Sequence, residues 1–303
     1  MSTWSRALDA AGIDDPGLRA DYGLQRSLVA RYKREACVAA LLLLPRPLVP
    51  HVMAATAFMH HTDTLLDSGP RAERLDAYQE WATEVREGLA GSAVGHPTIR
   101  ALSHTARAYP QLRAHIDEFL AAAATDLDFA GFTTEKDYQS YIDGYSLPGL
   151  MVVACLLAPA GDQAGYREAC RTFVDGSQRL DFVNDLAEDL QEGRLTVPKE
   201  TLERHGVTRA DLEHGHDTPA TRALLQELLE QARHSLRTGR SLPELTPPAN
   251  RPILRTLIAL DELTARAATT KGAALLRGSA RPSPPAVGSL LLREYREARR
   301  HRR

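Results

Sequence analysis

Two stretches of the sequence set carboxylates at helical spacing. "DTLLD" places Asp63 and Asp67 at i and i+4, on one face of a helix. "DFVNDLAED" steps Asp181, Asp185 and Asp189 by four, with Glu188 alongside. Like charges at that spacing repel by about 0.2–0.5 kcal/mol per pair, so a Lys or Arg one turn away ordinarily relieves them. Relief is scarce here. The stretch "PHVMAATAFMHHTDTLLD" holds no Lys or Arg, and only Arg179 and Arg194 lie near the second motif. Buried carboxylates without cationic partners either hold protons or find cations. Two such clusters facing each other across a bundle make an oxygen-rich site for a hard dication. Mg²⁺ fits it, because it takes few carboxylates and keeps room for water and substrate phosphate. The chemistry this implies is a diphosphate bridged by metal ions.

The elements that must position these groups are helices. Apolar residues recur at three and four positions almost throughout, and alternating strand patterns are nearly absent. "PHVMAATAFMHHTDTLLD" reads as a helix opened by Pro50, and "RLDAYQEWATEVREGLA" as an amphipathic one. "TEKDYQSYIDGYSLPGLMVVACLLAPAG" reads as helical segments broken at Pro148 and stopped at Pro159. "YREACRTFVDGSQRLDFVNDLAEDLQEG" reads as one long helix ending at Gly193. Two further helices flank the loop "RSLPELTPPAN", and a last helix follows the loop-like "SARPSPPAVG". No repeat stands out. The expectation is an all-α protein with a single domain over 1–303, whose acidic motifs ride on central helices.

Composition limits the alternatives. Hydrophobic residues make up 43% and charged residues 25%, and the formal net charge is −2. That balance gives no electrostatic support to nucleic-acid binding. The basic tail "REYREARRHRR" reads most simply as a solvated helix end. The apolar runs are too short for stable membrane insertion, and "MSTWSRALDAAG" lacks a secretory leader's basic start and apolar core. Cys37, Cys155 and Cys170 lack metal-ligand spacing and read as reduced, buried thiols. A cytoplasmic protein is the expectation, with room for a homo-oligomer. No P-loop, strand-borne GxGxxG or nucleophile elbow is present, which removes support for nucleotide hydrolysis and serine chemistry.

The order of motifs resembles the squalene/phytoene synthase family. "DTLLD", "YIDGYSLPGLMVVACLLA", then "DFVNDLAEDLQEGRLTVP" followed by "HGVT" carry the resemblance, from about residue 25 to 275. The second motif is the most specific. The family pattern there reads approximately NxxRDxxEDxxxGRxYxP, and this chain keeps Asp185, Glu188, Asp189, Gly193, Arg194 and Pro198. The resemblance implies an isoprenoid-synthase-type helical bundle around a central cavity. It implies that Asp63, Asp67, Asp185 and Asp189 hold Mg²⁺ ions that grip and ionise an allylic isoprenyl diphosphate donor, while an apolar pocket shelters the carbocation. Tyr141 falls on the position of a tyrosine thought to assist catalysis in squalene synthases, and also reads as an ordinary core residue. The family can bind a nicotinamide without the usual motif.

Four positions depart from the family. His60 stands where an arginine usually precedes the first aspartate by three. Asn184 replaces the arginine before Asp185, Asp181 replaces the upstream asparagine, and Thr196 replaces the tyrosine of GRxYxP. Head-to-head coupling must hold two diphosphates, and these changes remove positive charge and add negative charge. A single donor with an uncharged, aromatic (carbazole-like) acceptor fits that inventory, with Asp181 or Asp143 as the base. His60, Asn184 and Arg194 are the expected substrate contacts. Adjacent His60 and His61 diverge by about 100° on a helix and make a poor chelate. Arg31, Lys33 and Arg34 could reach a phosphate, although a solvated face is the simpler reading. Head-to-head condensation and a non-catalytic helical binding protein remain the competing readings.

Overall fold

The structure, a computed structural model, describes residues 2–67 and 70–301, and the side chains of Asp67, Asp126 and Asp128 lie outside what it describes. Sixteen α-helices follow one another among the described residues. The first half contains α1 (Thr3–Ala10), α2 (Pro16–Tyr32), α3 (Arg34–Leu43), α4 (Val49–Asp67), α5 (Arg71–Ala90), α6 (Pro97–Ala108), α7 (Leu112–Ala122) and α8 (Glu135–Tyr141). The second contains α9 (Leu147–Ala154), α10 (Gln163–Asn184), α11 (Leu186–Gln191), α12 (Lys199–His205), α13 (Arg209–Glu213), α14 (Pro219–Thr238), α15 (Arg251–Lys271) and α16 (Pro284–His301). The all-α expectation holds. A lone bridge between Gly131 and Leu195 is the sole sheet-type pairing among the described residues.

The helix starts follow ordinary capping chemistry. Asp15 accepts from the Leu18 N–H ahead of Pro16, and Thr134 and Asp137 close a capping box on α8. Helix α4 is central. Val52, Met53, Ala54 and Ala55 are consecutive and all buried, so neighbours surround every face of it. Helix α10 packs most extensively against α14. At their crossing, a Cβ on Gly176 would lie 2.7 Å from the Leu236 backbone nitrogen. Only glycine lets those backbones meet.

Two helix expectations need correction. Pro148 does not break its helix. One wider π-turn, Ile142–Ser146, joins α8 to α9, with the Leu147 N–H bonded five residues back to Ile142. The extra residue absorbs the missing proline donor and the clash of its ring. The long helix expected to end at Gly193 is instead bent at Asp185 (φ −101°, ψ 11°), which separates α10 from α11. Hydrogen bonding continues across the bend, from Asp185 N to Asp181 O at 2.8 Å and from Asp189 N to Asp185 O at 3.0 Å. The bend re-aims the carboxylates without ending the helix. The loop "RSLPELTPPAN" is largely two 3₁₀ turns, and α16 begins inside "SARPSPPAVG".

A buried polar knot ties α2, α4 and α6. The Tyr22 hydroxyl lies 2.7 Å from Thr105 Oγ1, 3.0 Å from His104 Nδ1 and 3.3 Å from His51 Nδ1. Beside it, Asp21 takes a bidentate pair from Arg100 at 2.6 and 2.8 Å. Burial, and then the neighbouring His104, pushes His51 down to a pKa of about 4. Its unfolded value is near 6.5, so the unfolded chain binds the proton first as pH falls. Stability from this group is therefore complete above pH 6.5 and lost between 6.5 and 4, by about 3 kcal/mol. Urea unfolding of wild type and His51→Gln across that window should show a shallower loss in the variant. Equal slopes would remove His51 as the cause.

Candidate active site

The first motif is held from three directions. Asp63 is half-buried on α4, and the Tyr145 hydroxyl from the π-turn reaches its Oδ1 at 3.4 Å. His60 stacks flat on Tyr32 at the end of α2, with ring centroids 3.5 Å apart and planes 9° apart. Tyr32 is raised to a pKa of about 12 by burial and then by Asp63. His61 points elsewhere, to Trp81 at 4.4 Å and His96 at 5.0 Å. The two histidines do not chelate together, as their spacing required. Asp67 ends α4, and its side chain lies outside the described residues.

Tyr141 sits one turn before Tyr145 in an aromatic wall. Its ring is 5.0 Å from Phe129, 5.1 Å from Tyr145, 5.5 Å from Phe132 and 6.0 Å from Phe182. Phe182 belongs to α10, so this wall links the first motif to the helix of the second. Aromatic faces carry negative potential, which suits a cationic carbon.

The second motif is more crowded. Asp185 is raised by burial and by Glu188, against a 3.1 Å hydrogen bond donated by the Asn184 amide. Asp189 is buried and raised by that burial, against Arg194, whose guanidinium is 3.2 Å away. Arg194 also pairs with Glu192 at 2.6 Å. Asn184 does not reach outward: its carbonyl accepts the Ala280 N–H at 2.8 Å, so it anchors the stretch before α16. After Gly193 (φ +83°) the chain pairs with Gly131 through Leu195. Any Cβ on Gly131 would strike the Leu195 carbonyl, which fixes Arg194 under the motif.

Asp181 is reached by solvent, yet protein crowds its carboxyl. Burial, then Asp261, raises its pKa to about 7, against Lys33 and with Asp185 and Asp189 adding to the rise. Asp261 on α15 is raised to about 6, mainly by burial, against a Ser177 hydrogen bond and Lys33. Sequence reasoning missed Asp261 and left Lys33 on a solvated face. A signal for Asp261 existed. Leu254, Ile258, Ala265 and Ala268 are all buried, and residue 261 continues their helical stripe.

Two other expectations are corrected. Asp143 is exposed and paired with Arg171 at 2.7 Å, which ties down the π-turn and removes it as a base. Arg179 faces away from the motif's carboxylates. It pairs with Glu135 and Asp175 and lies 4.1 Å over the Tyr138 ring.

Among the described residues no three metal-ligating side chains converge tightly enough to hold an ion by themselves. Asp185 and Asp189, both raised mainly by burial, are crowded carboxylates of the kind that gain from an arriving cation.

The sequence profile of the squalene/phytoene synthase family matches residues 30–286. The chain belongs to this family. Its members are prenyltransferases, generally dependent on a divalent metal. The chain is 29% identical over 219 residues to the bifunctional protein CrtB/UppS of Streptomyces coelicolor, covering 72% of this chain and 38% of that one. It is 25% identical over 269 residues to phytoene synthase 3, chloroplastic, of Zea mays, covering 83% and 61%. The chain thus spans 38% and 61% of the length of these two curated relatives. Among solved structures, squalene synthase HpnC from Alicyclobacillus acidocaldarius superposes with a TM-score of 0.74 at 26% identity, over 89% of this chain and 99% of that one. A dehydrosqualene synthase in complex with ligand gives 0.80 at 20% identity, over 93% and 98%, which supports the isoprenoid-synthase fold. No helix among the described residues is long and apolar enough to cross a membrane.

If Asp63 and Asp185 act on the leaving diphosphate through a metal, Asp63→Ala and Asp185→Ala should each lower diphosphate release by orders of magnitude. Normally folded variants with near wild-type turnover in Mg²⁺ would contradict this. Arg194→Lys should also weaken donor binding or rate, because an ammonium cannot replace a fork between two carboxylates.

Proposed function

We propose that this family member is a Mg²⁺-dependent prenyltransferase that ionises one allylic isoprenyl diphosphate and passes the prenyl group to an aromatic, carbazole-like acceptor. One observation carries the acceptor reading: Asp261 and Asp185 add negative charge around Asp181, and Lys33 is the cation that acts on both Asp181 and Asp261. A second diphosphate entering there would meet net negative charge in a poorly hydrated place. A neutral ring meets no such penalty.

In this reading Asp63, Asp67, Asp185 and Asp189 hold the metal and Arg194 steadies Asp189. Bound Mg²⁺ supplies Lewis-acid charge to the leaving diphosphate. Tyr141, Tyr145, Phe129, Phe132 and Phe182 keep water from the allylic cation and offer it ring faces. His60, stacked flat on Tyr32, stands where the family pattern places an arginine.

Head-to-head condensation is the second reading. It is favoured by the relatives, several of which are phytoene synthases. Product analysis separates the two. Five-, ten- and fifteen-carbon donors are incubated with Mg²⁺, with and without carbazole and indole. Prenylated aromatic product, with little hydrocarbon from donor alone, is expected. Efficient formation of a symmetric hydrocarbon from donor alone would overturn the aromatic-acceptor reading.

A further inference from the structure

One amide joins the second motif to the stretch ahead of α16. The Asn184 carbonyl accepts the Ala280 N–H at 2.8 Å, and its Nδ2 donates to Asp185 Oδ1 at 3.1 Å. A backbone N–H can only donate, so it takes the amide oxygen and turns the NH₂ end toward Asp185. The same peptide unit is gripped from its other side. Lys271, the last residue of α15, donates from Nζ to the Ser279 carbonyl at 2.8 Å. The Ser279 C=O and the Ala280 N–H belong to one planar trans unit and point opposite ways. Every donor in this chain therefore faces Asp185: ammonium to carbonyl, N–H to amide oxygen, NH₂ to carboxylate. Hydrogen bonds aligned head to tail polarise one another, and a cation at the start strengthens them. Ala280 is buried and the three bonds are part-buried, so water competes less than at the surface. Arginine, which the family pattern places at 184, donates and cannot accept, so it would break the chain at Ala280.

We propose that Lys271, the Ser279–Ala280 peptide and Asn184 form a relay that sets the orientation of Asp185, which makes Lys271 and Asn184 positioning residues for prenyl transfer. The inference rests on the reading of Asp185 as a metal ligand given above. Asp185 sits at the bend between α10 and α11. Holding its Oδ1 restricts rotation of the carboxylate and leaves the other oxygen to face a cation. Partners behind a ligating group govern metal affinity in this way. The relay starts at the end of α15 and passes through the stretch before α16, so the seating of these C-terminal helices is felt at the second motif.

The test reads metal binding without turnover. Mn²⁺ is titrated into wild type, Asn184→Leu, Lys271→Met, their double variant and Asp185→Asn, each with a non-ionising thio-analogue of dimethylallyl diphosphate. Free Mn²⁺ is measured by electron paramagnetic resonance, and melting temperatures report folding separately. Asn184→Leu should weaken Mn²⁺ binding about 10- to 100-fold, the range that loss of such a partner gives. Lys271→Met, two bonds further back, should weaken it less, about 3- to 10-fold, and Lys271→Arg should restore it. The double variant should bind no more weakly than Asn184→Leu alone, since links of one chain do not add. Wild-type affinity in either single variant, with Asp185→Asn impaired, overturns the relay, as do losses that multiply in the double variant. Should Asn184→Leu not fold, Lys271→Met against Lys271→Arg decides alone. Unimpaired Mn²⁺ binding in Asp185→Asn overturns the metal reading of Asp185, and this inference with it.

Discussion

Carboxylate crowding in a partly dehydrated space is the constraint on which the rest of the molecule depends. Asp181, Asp185 and Asp189 share one helical face across the bend at Asp185, and Asp261 adds a fourth charge from α15. Without a partner, each would be driven to hold a proton. The protein relieves only part of this charge, through Arg194 at Asp189, the Asn184 amide at Asp185 and Lys33 beside Asp181 and Asp261. What remains is an appetite for cations. A metal-bound diphosphate would satisfy it.

The fold serves that constraint by stiffening what surrounds it. Gly176 lets α10 sit tightly on α14, and Asp175 on the same helix is held by Ser235 at 2.5 Å and by Arg179. The π-turn presents Tyr145 toward the first motif, while Arg171 clamps its outer side through Asp143. Such π-turns recur at functional sites because the added residue redirects side chains without ending the helix. The Gly131–Leu195 bridge fixes the chain that carries Arg194. Arginines near the motifs are spent on this frame, with Arg194 serving both the frame and the site.

Much of this was legible in the sequence, for identifiable reasons. Helical periodicity gave the all-α class, and two acidic repeats on apolar helices marked the candidate site. Local signals failed where the structure is decided by packing. Pro148 reads as a break, yet a wider turn accommodates it. The bend at Asp185 leaves no mark, because no proline or glycine causes it. Asp143 looks available beside Tyr141, but its partner Arg171 is 28 residues away. Asp261 was hidden among the charges of "LDELTAR", although its place in the stripe of Leu254, Ile258 and Ala265 points inward. The Tyr32–His60 stack joins residues of different helices, which no spacing rule connects.

The central claim is that this pocket accepts one diphosphate and rejects a second. Calorimetric titration with a non-ionising thio-analogue of an allylic diphosphate, in the presence of Mg²⁺, tests it without depending on any acceptor. The account predicts one analogue bound per chain, and still one when analogue is raised well beyond the first dissociation constant. Two analogues bound per chain with comparable affinity would contradict it.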